Sequence, residues 1–293
     1  MQTFKTLLLR EWMQHRFGWL LLGGIPLAIM VPLMIFGQIQ MDHLPPPLLV
    51  ALMFAAGYTF FLMVLIGGSA AFQAPGLARR DRQDRSIEFW LSLPTSHSAS
   101  VGATVVMNLW LLPLMAFGMA AAGGVVSALI AVVRVHGLDG LTQMPWGTLM
   151  AVWLTGVARL SLGMVLGTLW LAPFAFGAMA ASAWLKRWGV AVLAGVLLIG
   201  SQILDKVYHL PWLVTQLQLQ IEHAGWAFLP TMQGKQGPNE GIDSLNEMVS
   251  NIGTFVAHDT ALALGDLATP RFIISLAVAA GCFGLMVLRR ARG

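Results

Sequence analysis

The chain alternates long apolar runs with short polar breaks, and the lengths of those runs determine what it can be. Runs free of charge for about 18 residues or more recur along it, and each is long enough to cross the roughly 30 Å hydrocarbon layer as a helix. The spacing predicts six spans, near residues 17–37, 48–73, 101–133, 160–184, 189–205 and 271–288. The backbone inside a bilayer must satisfy its own hydrogen bonds, so an all-α polytopic membrane protein is expected. Pro26 and Pro32 fall inside the first span and Pro113 inside the third, where kinks are tolerable if neighbouring groups take up the freed carbonyls.

The polar breaks differ in kind. Residues 3–16, "TFKTLLLREWMQHR", set Phe4, Leu7, Leu8 and Trp12 near one side, with Lys5, Arg10, Glu11 and Gln14 mostly away from it. That pattern predicts an interfacial helix, apolar face down, ahead of the first span. The apolar segment beginning near Phe17 is too long for a signal-peptide core and has no small-x-small cleavage site after it. Residues 145–159 are expected to form a second interfacial helix ending near Arg159 and leading into the fourth span, and "KRW" at 186–188 to mark the next membrane edge.

Residues 206–269 are the only sizeable polar region, read as an extracytoplasmic segment before the last span. Within it "LQLQIE" (217–222) alternates like a strand, while Leu213, Leu217 and Ile221 also suit a helix. Ser244 and Glu247 have capping-box spacing ahead of a helical repeat through Ile252 and Val256. A lid over a pathway and a packed surface insertion both fit this region. No fixed-period repeat occurs.

Composition sharpens the picture. Only 10% of residues are charged and 57% are hydrophobic, against about 25% charged in a soluble domain. The net charge of +4 points to anionic lipid headgroups rather than nucleic acid, and the single cysteine, Cys282, allows no internal disulfide. Twelve of the 17 lysines and arginines fall on one side if both chain ends are cytoplasmic; Arg134, Arg159, Lys206, Lys235 and Arg271 fall on the other. The positive-inside rule then puts residues 79–94 in the cytoplasm.

That stretch, "RRDRQDRSIEFWLSLP", is the densest cluster of charge in the chain. A stop-transfer cluster accounts for the arginines but not for the aromatic and aliphatic residues after them. Ile87, Trp90 and Leu91 share one helical face, Phe89 and Leu93 an adjacent one. A short cytoplasmic helix so built can rest in the interface or dock aromatic anchors into a partner's groove.

The segment "DRSIEFWLSLPTSHSASVGA" (84–103) resembles the cytoplasmic connection of ABC-2 type exporter permeases, and "LLLREWMQHRFGW" is similar to that family's interfacial elbow, with Arg10, Glu11 and Trp12 at its centre. The resemblance extends over the chain in topology and over these two stretches in residues. It implies a coupling helix that docks onto a separate ATP-hydrolysing subunit through Arg82, Asp84, Ile87, Glu88, Phe89, Trp90 and Leu91. It also implies a second permease subunit, identical or not, facing the first. ATP and Mg would be bound by the partner ATPase, and the location would be the bacterial inner membrane, multi-pass, with both termini cytoplasmic.

This chain carries no G-x-x-x-x-G-K-[ST] phosphate loop, so any ATP hydrolysis is expected in another chain. A secondary, ion-coupled transporter is the alternative. It needs ionisable groups near the bilayer midplane, yet every carboxylate falls at an edge or outside the predicted spans, and Arg159 is expected to snorkel to the interface. Catalysis is disfavoured: Gly67-Gly68-Ser69 has no histidine within a span to act as base, and no H-x-x-x-H pair could aim two imidazoles at one metal. Gly163 and Gly167 form a GxxxG expected to serve packing within one subunit.

Overall fold

The computed structural model describes residues 2–38, 44–78, 96–228 and 251–292, and among them every regular element is a helix. Six stretches are long and apolar enough to cross a membrane: Phe4–Phe36, Pro47–Leu77, His97–His136, Trp146–Trp170, Ala172–Lys206 and Pro270–Ala291. The chain is a multi-pass, all-α membrane protein.

The first helix, α1, runs unbroken over Gln2–Phe36. At 1.5 Å per residue this is a rod of about 50 Å, so the stretch at 3–16 is continuous with the first span rather than a separate helix. Helix α2 covers Pro47–Leu77. The third apolar stretch comprises α3 (His97–Val106), a π-helical turn (Met107–Leu111) and α4 (Leu112–His136). The wide turn has a local cause. Pro113 has no N–H to give Leu109, and its ring would press on that carbonyl; the helix opens just before it, with the Leu112 N–H donating to Met107 O five residues back.

After the short α5 (Asp139–Thr142), α6 spans Trp146–Trp170 without interruption. The expected boundary at Arg159 is absent, and the break falls at Leu171. Pro173 explains this, since it is tolerated only in the first turn of a new helix, α7 (Ala172–Leu185). The "KRW" residues form a 3-10 turn, with Lys186 at a φ of 56°. Here α8 (Gly189–Lys206) folds back on α7 so closely that a Cβ on Gly189 would lie 2.4 Å from the Ala181 backbone. Side chains cannot fit there, and glycine can.

The polar region yields two helices, α9 (Trp212–Phe228) and α10 (Ile252–Gly265). Residues 217–222 are therefore helical, and the buried face carries Ala224 and Ala227, while Ile221 is 60% exposed. The proposed capping box at Ser244 and Glu247 lies outside the described residues. The last helix, α11, covers Pro270–Ala291 and is capped by Thr269, whose hydroxyl accepts from Phe272 N.

Packing assigns levels to these helices. At one end, which we term the base, the last turns of α2 meet α3, α7 and the end of α11 through Ala74, Val101, Val105, Met179 and Met286. Trp184 adds to this end: its indole donates to Leu285 O, and Arg289 lies over its ring. At the opposite end Met34, Val50, Val132 and Leu149 pack together. There the last turn of α4 is tied down, with Arg134 donating to Gly37 O at 2.7 Å and His136 2.9 Å from Pro45 O. Thus α6 and α7 together traverse the bundle from end to end, and the 3-10 turn lies at the base.

Apolar burial drives little between helices in lipid, so close approach and interhelical hydrogen bonds carry the association. The α2–α4 seam shows both. Gly123 faces the Tyr58 ring, and a Cβ on Gly124 would meet Thr59 Oγ1 at 2.5 Å and Ala55 O at 2.8 Å. Ser127 donates to Phe54 O at 3.1 Å across the same seam.

Candidate functional site

Residues 79–95 lie outside the described residues, and with them Arg82, Asp84, Ile87, Glu88, Phe89, Trp90 and Leu91. What is described is the frame on either side. Helix α2 ends at Leu77, and α3 begins with Ser96 as its cap, the hydroxyl accepting from Ala99 N at 3.3 Å. Leu77, Ala78 and Val101 all belong to the base cluster.

Two turns into α3 the frame is joined to α1. Glu11 is 2% exposed. Its Oε1 accepts from Thr104 Oγ1 at 3.1 Å and contacts the Arg10 guanidinium, while its Oε2 faces Asn108 Nδ2 at 3.4 Å. His15 Nδ1 stands 3.0 Å from the Glu11 carbonyl and 3.7 Å from its carboxylate. Asn108 also donates to Thr104 O at 3.0 Å and lies in the π-helical turn, which it joins to α1 through Glu11.

This corrects the sequence reading of the N-terminal stretch. Glu11 points into the bundle, Trp12 packs against the central core, and the residues facing out are Leu9, Met13 and Phe17, at 56%, 62% and 71% exposure. The inversion has its cause in the solvent: where the surroundings are hydrocarbon, a carboxylate is stabilised only on the side where other helices supply donors. The geometry makes Glu11 a fastener, holding α1 to the helix that leaves the 79–95 connection.

A second interior cluster overturns a further expectation. Arg159 does not snorkel; it is 2% exposed, and its Nε donates to Asp259 Oδ2 at 2.5 Å, with Asp259 itself 5% exposed. Nη1 donates to Ala227 O at 2.9 Å, and Nη2 has no hydrogen-bond partner among the described residues. Arg159 is therefore a core side chain, and Glu11 and Asp259 are likewise buried in the bundle, Glu11 near the start of the first apolar stretch and Asp259 on α10, outside the six. Through Ala227 O the guanidinium is joined to the last described turn of α9.

The GxxxG makes this contact possible. A Cβ on Gly163 would lie 2.5 Å from Ala227 O, and one on Gly167 2.2 Å from the Phe228 ring. The two glycines therefore serve packing within the subunit, seating the end of α9 on α6. Gln220 adds a tie from α9, its amide contacting Trp170 O and donating to Ser275 Oγ at 2.7 Å. The polar segment is thus packed along the bundle. The signal that could have revealed the ion pair was one arginine and one aspartate, each alone in an apolar helical stretch.

No protein-family model matches this chain, and neither a search of curated proteins nor one of solved structures returns a match. The fold defines a multi-pass α-helical membrane protein. Its function is read from the arrangement of its own residues.

Proposed function

We propose that this chain is the membrane subunit of an ATP-driven exporter of the ABC-2 permease kind, working as a pair of permease subunits with separate ATPase subunits that bind ATP and Mg. The observation that carries the reading is the frame at the base. Both helices flanking residues 79–95 belong to one cluster with the end of α11, and Glu11 fastens α1 to α3 at the same level. A push on the connection would reach three of the long helices at once. Helix-borne cations gather at the same end, among them Arg10, Lys186, Arg187, Arg289 and Arg290, which supports a cytoplasmic base under the positive-inside rule.

The ion-coupled carrier draws its support from the interior carboxylates. Each, however, already has structural partners: Asp259 has Arg159, and Glu11 has Thr104, Asn108 and Arg10. A coupling ion would have to displace them.

The test is co-purification. Solubilised from its native membrane, the chain should carry an ATP-hydrolysing subunit, and Trp90→Ala with Glu88→Arg should release it while the permease stays inserted. ATPase that still co-purifies undiminished with the double variant would count against the docking surface. Vesicles holding only this chain that concentrate a solute on an ion gradient alone would overturn the class.

A further inference from the structure

Between α6, α9 and α10 lies a cavity of about 160 Å³ whose walls have an unusual chemistry. Three rings stand in series along it: Trp170 and His223 have centroids 4.7 Å apart, and His223 and Trp226 4.9 Å. Two carboxylates, Asp259 and Asp266, line it with Leu262. The ring wall is held from behind, since Trp170 packs edge-on against Phe272 at 5.1 Å. Trp226 is 40% exposed and Asp266 half-buried, so the cavity has a mouth.

The charges do not cancel. Asp259 is matched by Arg159, which is not among the lining residues. The Asp266 carboxylate makes no hydrogen bond or ion pair among the described residues; its backbone N–H donates to Leu262 O and its carbonyl accepts from Thr269. His223 Nδ1 lies 2.7 Å from Leu219 O, which can only accept, so Nδ1 carries a proton directed back along α9 and the ring offers the cavity its face. Among the described residues the walls therefore present one carboxylate without a partner, beside π faces. Hard metal ions want six or more oxygens, which two carboxylates do not supply. Aromatic faces beside a carboxylate suit an alkylated ammonium.

We propose that this cavity is a binding site for an organic monocation, an ammonium group bearing an apolar arm, with Asp266 as its counter-charge and Trp226 and Trp170 as its ring walls. The site needs no ATPase and no second subunit, so it stands or falls apart from the transport reading.

The test uses the full chain in nanodiscs of zwitterionic phosphatidylcholine, titrated calorimetrically with benzyltrimethylammonium, with empty discs subtracted. Saturable binding is expected, weakened about tenfold by Asp266→Asn and by Trp226→Leu and retained by Asp266→Glu. Benzenesulfonate should not bind. Asp266→Asn alters no backbone contact, so an unchanged melting temperature separates loss of the site from loss of the fold. Absence of saturable binding to the unaltered chain, undiminished affinity in Asp266→Asn and Trp226→Leu, or preference for benzenesulfonate would each overturn the proposal.

Discussion

Replacing Asp259 by asparagine should be among the most damaging isosteric changes available in this protein. The Arg159 and Asp259 side chains are 1% and 6% exposed, so neither charge is stabilised by water. In Asp259→Asn the guanidinium keeps its bond to Ala227 O but loses its counter-charge. Stranding one partner of a buried pair costs about 3–5 kcal/mol, so most of that loss should appear. Removing both charges, as in Arg159→Met with Asp259→Leu, removes both desolvation penalties. The double variant should return to within about 1 kcal/mol of the native protein.

The assay is reversible unfolding in mixed micelles by SDS titration, followed by far-UV circular dichroism. Amide exchange in α9 and α10 should rise in Asp259→Asn, while the α2–α4 seam stays protected, because the pair joins only that side of the bundle. A single variant losing less than about 1 kcal/mol, or a double variant as damaged as the two singles added together, would refute the idea that these charges depend on each other.

Two further outcomes rest on the packing. Gly163→Ala should destabilise by about 1–3 kcal/mol, because its Cβ would meet backbone oxygens of Ala227 and Phe228 that cannot rotate away; Gly156→Ala, with open space around its Cβ, should be neutral or mildly stabilising in the same titration. Glu11→Ala removes the charged acceptor that ties Thr104 and Asn108 to α1, leaving them only their bonds to Ser100 O and Thr104 O within their own helix, and should lose about 1–3 kcal/mol, while Glu11→Gln, which keeps an acceptor oxygen, should lose less and still protect the α3 amides from exchange.

The amino-acid pattern alone determined the class of structure. A chain with six such apolar runs has to be helical, because hydrocarbon offers the backbone no alternative partner, and the length of each run sets the number of passes. Pro113 and Pro173 explain local breaks for the same reason, since ring closure and a missing N–H act within a few residues. The helical nature of 217–222 lay within reach too, although alternation over six residues fits either period.

Tertiary structure decided which polar groups meet. Arg159 and Asp259 are 100 residues apart in sequence, and Glu11 is 93 and 97 from its partners on α3 and the π-helical turn. Each partnership depends on helix rotation and on how closely two axes approach, neither of which has a local signature. A lone arginine in an apolar run reads as a membrane edge because, unpaired, that is where it would be stable. Once the close seat at Gly163 brings α9 and α10 against α6, an acceptor waits in the interior and the same residue becomes a core side chain. The orientation of Glu11 was decided likewise: amphipathicity shows that a helix has two faces, and only the neighbouring helices determine which of them is turned inward.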